Sequence, residues 1–206
     1  MIALGLAHLA FAWTLFVLLA PLTASLWWRC GLLAATSLLS VIEVNDLTMA
    51  AYARSLTDDL SISSLVVLAW LTLHRLGVIR PMAATHRLLV LLVFAGMALT
   101  LYPATLGLTY FDPYRWGYNP RTMIIIVALL ALVLVCLRNV PGVVMLSVAT
   151  LAFTFRIKPS ENYWDYLIDP LLALYCCAAL LWLGVGYVYR TAVRRNRPAD
   201  LSAGAA

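Results

Sequence analysis

Glu43 and Asp46 stand three residues apart in "SVIEVNDLTMAAYARSLTDDLSIS", residues 40–63, a stretch holding four of the chain's nine acids and a single base, Arg54. On a helix, that spacing puts both carboxylates on one face, with Ser37 and Ser40 continuing a polar strip below them. Such a pair can serve as a base or a proton carrier. An acid inside a bilayer costs about 2.5–3.5 kcal/mol near the centre, so it faces a bundle interior or a wet cleft. The plainer role is structural, with Glu43 and Asp46 pairing Arg54 or another Arg and pinning helices together. Asp58 and Asp59 precede an apolar run and are expected to cap it, since a carboxylate there accepts from free N–H groups at the positive end of the helix.

Two later segments add cations and aromatic rings. In "GLTYFDPYRWGYNPR", residues 107–121, the Asp-Pro and Asn-Pro steps predict an ordered, turned loop. Its rings suit an interfacial belt. They also suit a pocket for an anionic headgroup, with Tyr114 and Trp116 as walls and Arg115 or Arg121, together with Arg54, on the phosphate. In "RIKPSENYWDYLIDP", residues 156–170, Ser160 is expected to cap a short helix lying flat in the interface. Trp164 and Tyr166 would face a partner there, with Glu161 and Asp165 four apart on one side. The three segments are expected to converge on one acidic, aromatic and Arg-containing surface.

The elements that position these residues are apolar helices. The chain has 206 residues, 64% hydrophobic and only 11% charged, with a mean hydropathy of +0.94; soluble domains carry about 25% charged residues. The composition predicts an all-α, polytopic membrane helix bundle over residues 1–190, followed by a basic and then disordered tail, 191–206. With about 20 apolar residues needed per span, seven spans are expected: 3–27, 31–50, 61–79, 87–106, 122–137, 140–156 and 168–189. The first lacks the basic flank of a signal peptide and reads as a span. If the second is re-entrant, there are six. Asp169-Pro170, Asn119-Pro120 and Pro141 supply start signals for the last three.

Charge predicts the orientation. With the C-terminus inside and seven spans, nine of the fourteen bases fall inside and eight of the nine acids outside, which favours N-out, C-in. Thirteen of the bases are Arg, most of them at helix ends. That is a pattern of topology and lipid headgroup contact and not of nucleic-acid binding. Membrane lipids are therefore expected partners.

No HExxH, Walker loop, GxSxG or C-x-x-C-H occurs. The three histidines are split between the two ends, and the four cysteines suit apolar packing. No metal or cofactor is expected. The sequence leaves three functions open. One is an accessory or scaffold subunit that holds another envelope membrane protein through its extracytoplasmic loops, in cell-envelope biogenesis. Another is a membrane enzyme acting on a lipid or lipid-linked glycan at the outer face, with Glu43 or Asp46 as base. The third is a small proton-coupled transporter using the same acids. Short loops and the Arg bias place the protein in a bacterial cytoplasmic membrane, the cell inner membrane.

Overall fold

The computed structural model describes residues 2–195. They form an all-α bundle with one two-stranded hairpin. Helix α1 (Ile2–Leu19) ends in a short 3-10 turn (Ala20–Leu22) and is followed by α2 (Leu26–Val41). The hairpin β1 (Glu43–Val44) and β2 (Leu47–Thr48) leads into α3 (Met49–Thr57). Then come α4 (Ile62–Arg75), α5 (Ala84–Thr105), the single turn α6 (Arg115–Tyr118), α7 (Arg121–Cys136), α8 (Val140–Thr154), the single turn α9 (Trp164–Leu167) and α10 (Pro170–Arg195). The tail expected from residue 191 begins as a continuation of α10, and its remainder lies outside the described residues.

Three helices are long and apolar enough to cross a membrane: Leu4–Leu22, Ala84–Thr105 and Pro170–Val193. At a rise of about 1.5 Å per residue they match a hydrocarbon core of about 30 Å. Four more apolar helices, α2, α4, α7 and α8, have only 14 to 16 residues. They are too short to count as spans by length, so seven crossings are not shown. The difference comes from the flanks. Residues 43–48, expected within the second span, form the hairpin, and Gly77 ends α4 in a left-handed turn at φ 76°.

Packing explains which faces are buried. Helix α1 lies against α2, α3 and α4; α4 lies against α8; α8 also contacts α5, α7 and α9; and α5 lies along α10. The core is a continuous cluster of side chains such as Phe94, Leu134, Met145 and Leu146, closed at one end by Tyr163, Tyr166 and Leu167. Outward faces stay apolar, with Leu129 and Leu132 on α7 and Leu181 and Trp182 on α10 exposed, as suits lipid and not water.

Hydrogen bonds sort the connections into two ends. At one end, Arg29 donates to the carbonyl of Arg75 (2.8 Å), and Asn139 caps α8 while donating to the carbonyl of His86 (3.0 Å). The other end gathers the hairpin and α3, the 106–120 loop and the 155–169 loop, with eight of the chain's nine acids. The charge asymmetry of the sequence is therefore an asymmetry of the folded bundle.

Gly117 shows how tightly the second end is built. A Cβ there would lie 1.7 Å from Oδ1 of Asn162. Gly117→Ala is expected to lower stability by about 1–3 kcal/mol through overpacking. Gly96→Ala, which meets nothing within 4 Å in mid-α5, is expected to be neutral or stabilising by up to about 1 kcal/mol. Thermal unfolding in detergent distinguishes the two; equal midpoints would mean that the contact is not tight.

Candidate functional site

Two buried charges organise the acidic end. Asp169 opens α10 and is only 5% exposed. Its Oδ1 accepts the N–H of Leu172 (2.9 Å), as expected for the cap of the last helix, while Oδ2 accepts the N–H of Ser61 (2.9 Å) and the hydroxyl of Ser64. The positive ends of α4 and α10 thus converge on one carboxylate, which both helix dipoles favour. Ser61 is itself the cap of α4, accepting from the N–H of Ser64 at 3.1 Å.

The second charge is Lys158, the chain's single lysine, 6% exposed. Its ammonium has three protons, and Nζ lies within hydrogen-bonding distance of three carbonyls, those of Asp59 (3.1 Å), Leu60 (3.1 Å) and Asp165 (2.8 Å). It sits 5.9 Å from the centroid of the Tyr166 ring, within cation–π range. Burial pushes its pKa below the usual 10.5, against the opposing pull of Asp59, Asp165, Asp169 and Asp58. The Tyr166 hydroxyl accepts from the Lys158 N–H (3.1 Å) and bonds to the Lys158 carbonyl (2.8 Å).

The aromatic loops are mounted on this knot. Trp164 donates through Nε1 to the carbonyl of Pro113 (2.9 Å), Asn162 donates to the carbonyl of Tyr114 (3.1 Å), and the N–H of Tyr163 donates to the carbonyl of Gly117 (3.1 Å). Tyr163 also shares a hydrogen bond with Thr150 (2.6 Å). The rings of Tyr163, Trp164 and Tyr166 are buried. The short helix is therefore part of the core and not a flat interfacial strip, and Trp164 and Tyr166 offer no free surface to a partner. Ser160 does not cap it; its hydroxyl bonds to Asp165 and accepts the N–H of Asn162. Glu161 precedes the helix and is exposed, whereas Asp165 is half-buried.

Glu43 and Asp46 do not share a helical face. Glu43 lies in β1, paired with Thr48, and Asp46 lies in the turn beside Asn45, with φ of 50° at Asn45 and 65° at Asp46. Left-handed geometry at both central residues is that of a tight type I′ hairpin, which Asn and Asp tolerate. Both acids are exposed, and Ser37 is exposed while Ser40 is buried, so the polar strip is broken. Arg54 pairs with Asp59 instead (Nε to Oδ1 2.6 Å, with a second contact of 2.8 Å). Asp58 ends α3 instead of starting α4 and has a strained φ of 59°. Arg115 and Arg121 open α6 and α7 and are exposed; among the described residues, no hydrogen bond or ion pair joins them to Arg54. Tyr114 is half-buried and reaches Asp165 (3.4 Å), and Trp116 packs edge-on to Phe111 (5.1 Å between centroids).

A cavity of about 220 Å³ opens between α1 and α3. Arg54, Asp58, Asp59 and Lys158 border it, and its remaining wall is largely apolar. Neither Glu43 nor Asp46 lines it. Among the described residues, no three His, Cys, Asp or Glu side chains form a metal-binding group.

No protein-family model, curated protein or solved structure matches the chain.

Lys158 is not among the site residues that the sequence pattern singles out. Its one signal was being the single lysine among fourteen bases. Lys158→Met removes three charged donors and leaves buried carbonyls unpaired, so a loss on the order of 3 kcal/mol is expected. Lys158→Arg, whose planar fork cannot reproduce the threefold geometry, is expected to fall in between. Equal midpoints for all three proteins in detergent melts would refute the knot.

The phenols predict a pH effect. Burial raises the pKa of Tyr114, Tyr163 and Tyr166 above 10.0; Asp165 adds to this at Tyr114 and Tyr166, and bonds from Thr150 and the Lys158 backbone oppose it at Tyr163 and Tyr166. A raised phenol keeps its proton longer folded than unfolded, so its stabilisation is complete below pH 10.0 and is lost as pH climbs through the folded pKa. Lys158, held low, acts in the opposite sense and only below 10.5. The melting midpoint is therefore expected to fall above about pH 10.5, and Tyr163→Phe should make the fall shallower. A flat midpoint during tyrosine ionisation would contradict this.

Proposed function

We propose that the protein is a non-catalytic accessory subunit of a bacterial cytoplasmic membrane, with seven crossings, its N-terminus outside, and a partner membrane protein held through its extracytoplasmic loops. The observation that carries this reading is the contrast between the two sets of polar and aromatic groups at the acidic end. Lys158, Asp169, Asn162 and Tyr166 are committed to intramolecular hydrogen bonds. Tyr110, Phe111, Trp116 and Tyr118 are exposed on a loop that those groups hold in place. Exposed rings on an ordered mount lose little conformational freedom on binding, which is how aromatic residues come to dominate interfaces. The docking surface therefore moves from Trp164 and Tyr166 to the neighbouring 107–118 loop. The short helices α2, α4, α7 and α8 cross by local thinning of the bilayer, and the acidic end faces outward by the Lys/Arg bias.

A second reading, a lipid-modifying enzyme, is favoured by one observation: Arg54 borders the cavity beside α1. In it, Arg54 would bind a phosphate, and Glu43 or Asp46 would have to reach the cavity by movement of the hairpin.

Gentle solubilisation at native expression followed by native mass spectrometry tests the docking reading. A stoichiometric protein partner is expected. Replacing both Tyr110 and Phe111 with Ala is expected to lose it while stability falls by no more than about 1.5 kcal/mol, the worth of the edge-on contact between Phe111 and Trp116. A partner retained by the double variant, or a bare monomer from the native membrane, would sink this reading. Loss of a lipid-directed turnover in Glu43→Gln or Asp46→Asn would favour the second.

A further inference from the structure

The cavity beside α1 combines a wall and a rim of different chemistry. The wall is largely apolar and includes Ala7 and Ala10 from α1, Ala50 and Ala53 from α3, and Leu65 and Leu171. Its volume of about 220 Å³ exceeds the roughly 150 Å³ of an apolar cavity that stays dry and takes up benzene. A lining of this kind gains dispersion contacts from an apolar occupant. The lining on α1 runs from Leu6 to Leu15, about 13 Å along a helix of membrane-spanning length.

The rim carries both signs of charge. Arg54 and Lys158 are offset by Asp58 and Asp59, so a simple anion meets no net positive charge. Lys158 has its three protons committed to carbonyls. Arg54 gives Nε and Nη2 to Asp59, leaving Nη1 without a partner among the described residues. Asp58 is exposed; its Oδ1 accepts the N–H of Asp59 (2.8 Å), and its Oδ2 has no partner among the described residues. A guanidinium nitrogen, Nη1, and one carboxylate oxygen, each free of partners among the described residues, therefore border the same apolar slot.

We propose that this cavity binds a zwitterionic phospholipid, with the upper methylenes of one acyl chain along Ala10 and Ala53, the phosphate at Arg54 and the cationic headgroup at Asp58. Charge complementarity selects this occupant: a neutral rim with separated signs fits a head of the same kind, whereas an anionic head would leave Asp58 opposed to it. The inference does not depend on protein docking through the 107–118 loop.

Native mass spectrometry of the full chain in detergent tests it, with a phosphatidylethanolamine and a phosphatidylglycerol of identical acyl chains added in turn. One phosphatidylethanolamine is expected to survive activation that strips loosely held lipid, with about tenfold preference over phosphatidylglycerol. Ala10→Leu and Ala53→Leu fill the slot and are each expected to lose that lipid, and Asp58→Asn is expected to lose the preference. Leu129→Trp, on the exposed face of α7, should leave both unchanged. The headgroup comparison on the unaltered protein stands even if a slot-filling variant does not fold. Equal retention of the two lipids, or retention that persists in a folded slot-filling variant, would mean surface lipid only and would overturn the proposal.

Discussion

An ammonium buried among apolar helices is tolerable only if each of its protons finds an acceptor, and Lys158 meets that condition with three backbone carbonyls. The carbonyls come from two places distant in sequence, the 59–60 connection and α9, so satisfying the charge also fixes where these segments meet. Asp169 does the converse with donors. It takes N–H groups from α4 and α10 and a hydroxyl from Ser64, so two helix starts are held at one point. Removing either charge would leave its own buried partners desolvated without compensation, and the two sets of partners adjoin at Leu60 and Ser61, so both charges brace one unit at the acidic end.

That unit determines what the neighbouring loops can do. Asn162 and Trp164 attach the 107–118 loop to it through the carbonyls of Tyr114 and Pro113, and Gly117 allows the close approach that this needs. The loop is therefore held at its inner side, while Tyr110, Phe111 and Tyr118 remain outside. Polar side chains committed to fixing backbone are poor candidates for chemistry, because moving them would undo the fold. Rings on the outer side can bind without disturbing it.

The opposite end is held more sparsely, by Arg29 on the Arg75 carbonyl and by Asn139 bridging α8 to the carbonyl of His86. Its bases face no acid from the described residues, since eight of the chain's nine acids lie at the far end. The bundle thus has a basic end and an acidic end at which eight acids outnumber the bases. The cavity beside α1 belongs to the latter, where opposite charges lie close enough to leave a neutral rim around an apolar slot.

Much of the helical framework was legible in composition and punctuation, because long apolar runs have no other way to satisfy their backbone in a bilayer. The Asp169 cap and the Pro141 start follow from local backbone needs, and local needs are written in adjacent residues. The hairpin at 43–48 was hidden for a related reason: Asn45-Asp46 is a two-residue turn signal, but a three-residue acid spacing is equally compatible with a helix until the turn forms. Charge asymmetry between the two ends was also readable; of the expected single surface, the 59–60 connection and the 113–117 turn each meet the 155–169 loop, while Glu43, Asp46, Arg115 and Arg121 stand apart. Sequence alone could not decide which rings would be buried, since Trp164 and Trp116 have the same chemistry and differ only in what packs over them. Nor could it show that one lysine would tie the 59–60 connection to α9, or that Arg54 would pair with Asp59 and not Glu43. The ring and lysine outcomes depend on contacts between residues as many as 99 positions apart, which only the packed bundle brings within hydrogen-bonding distance, and the Arg54 pair depends on the hairpin carrying Glu43 out of helical register.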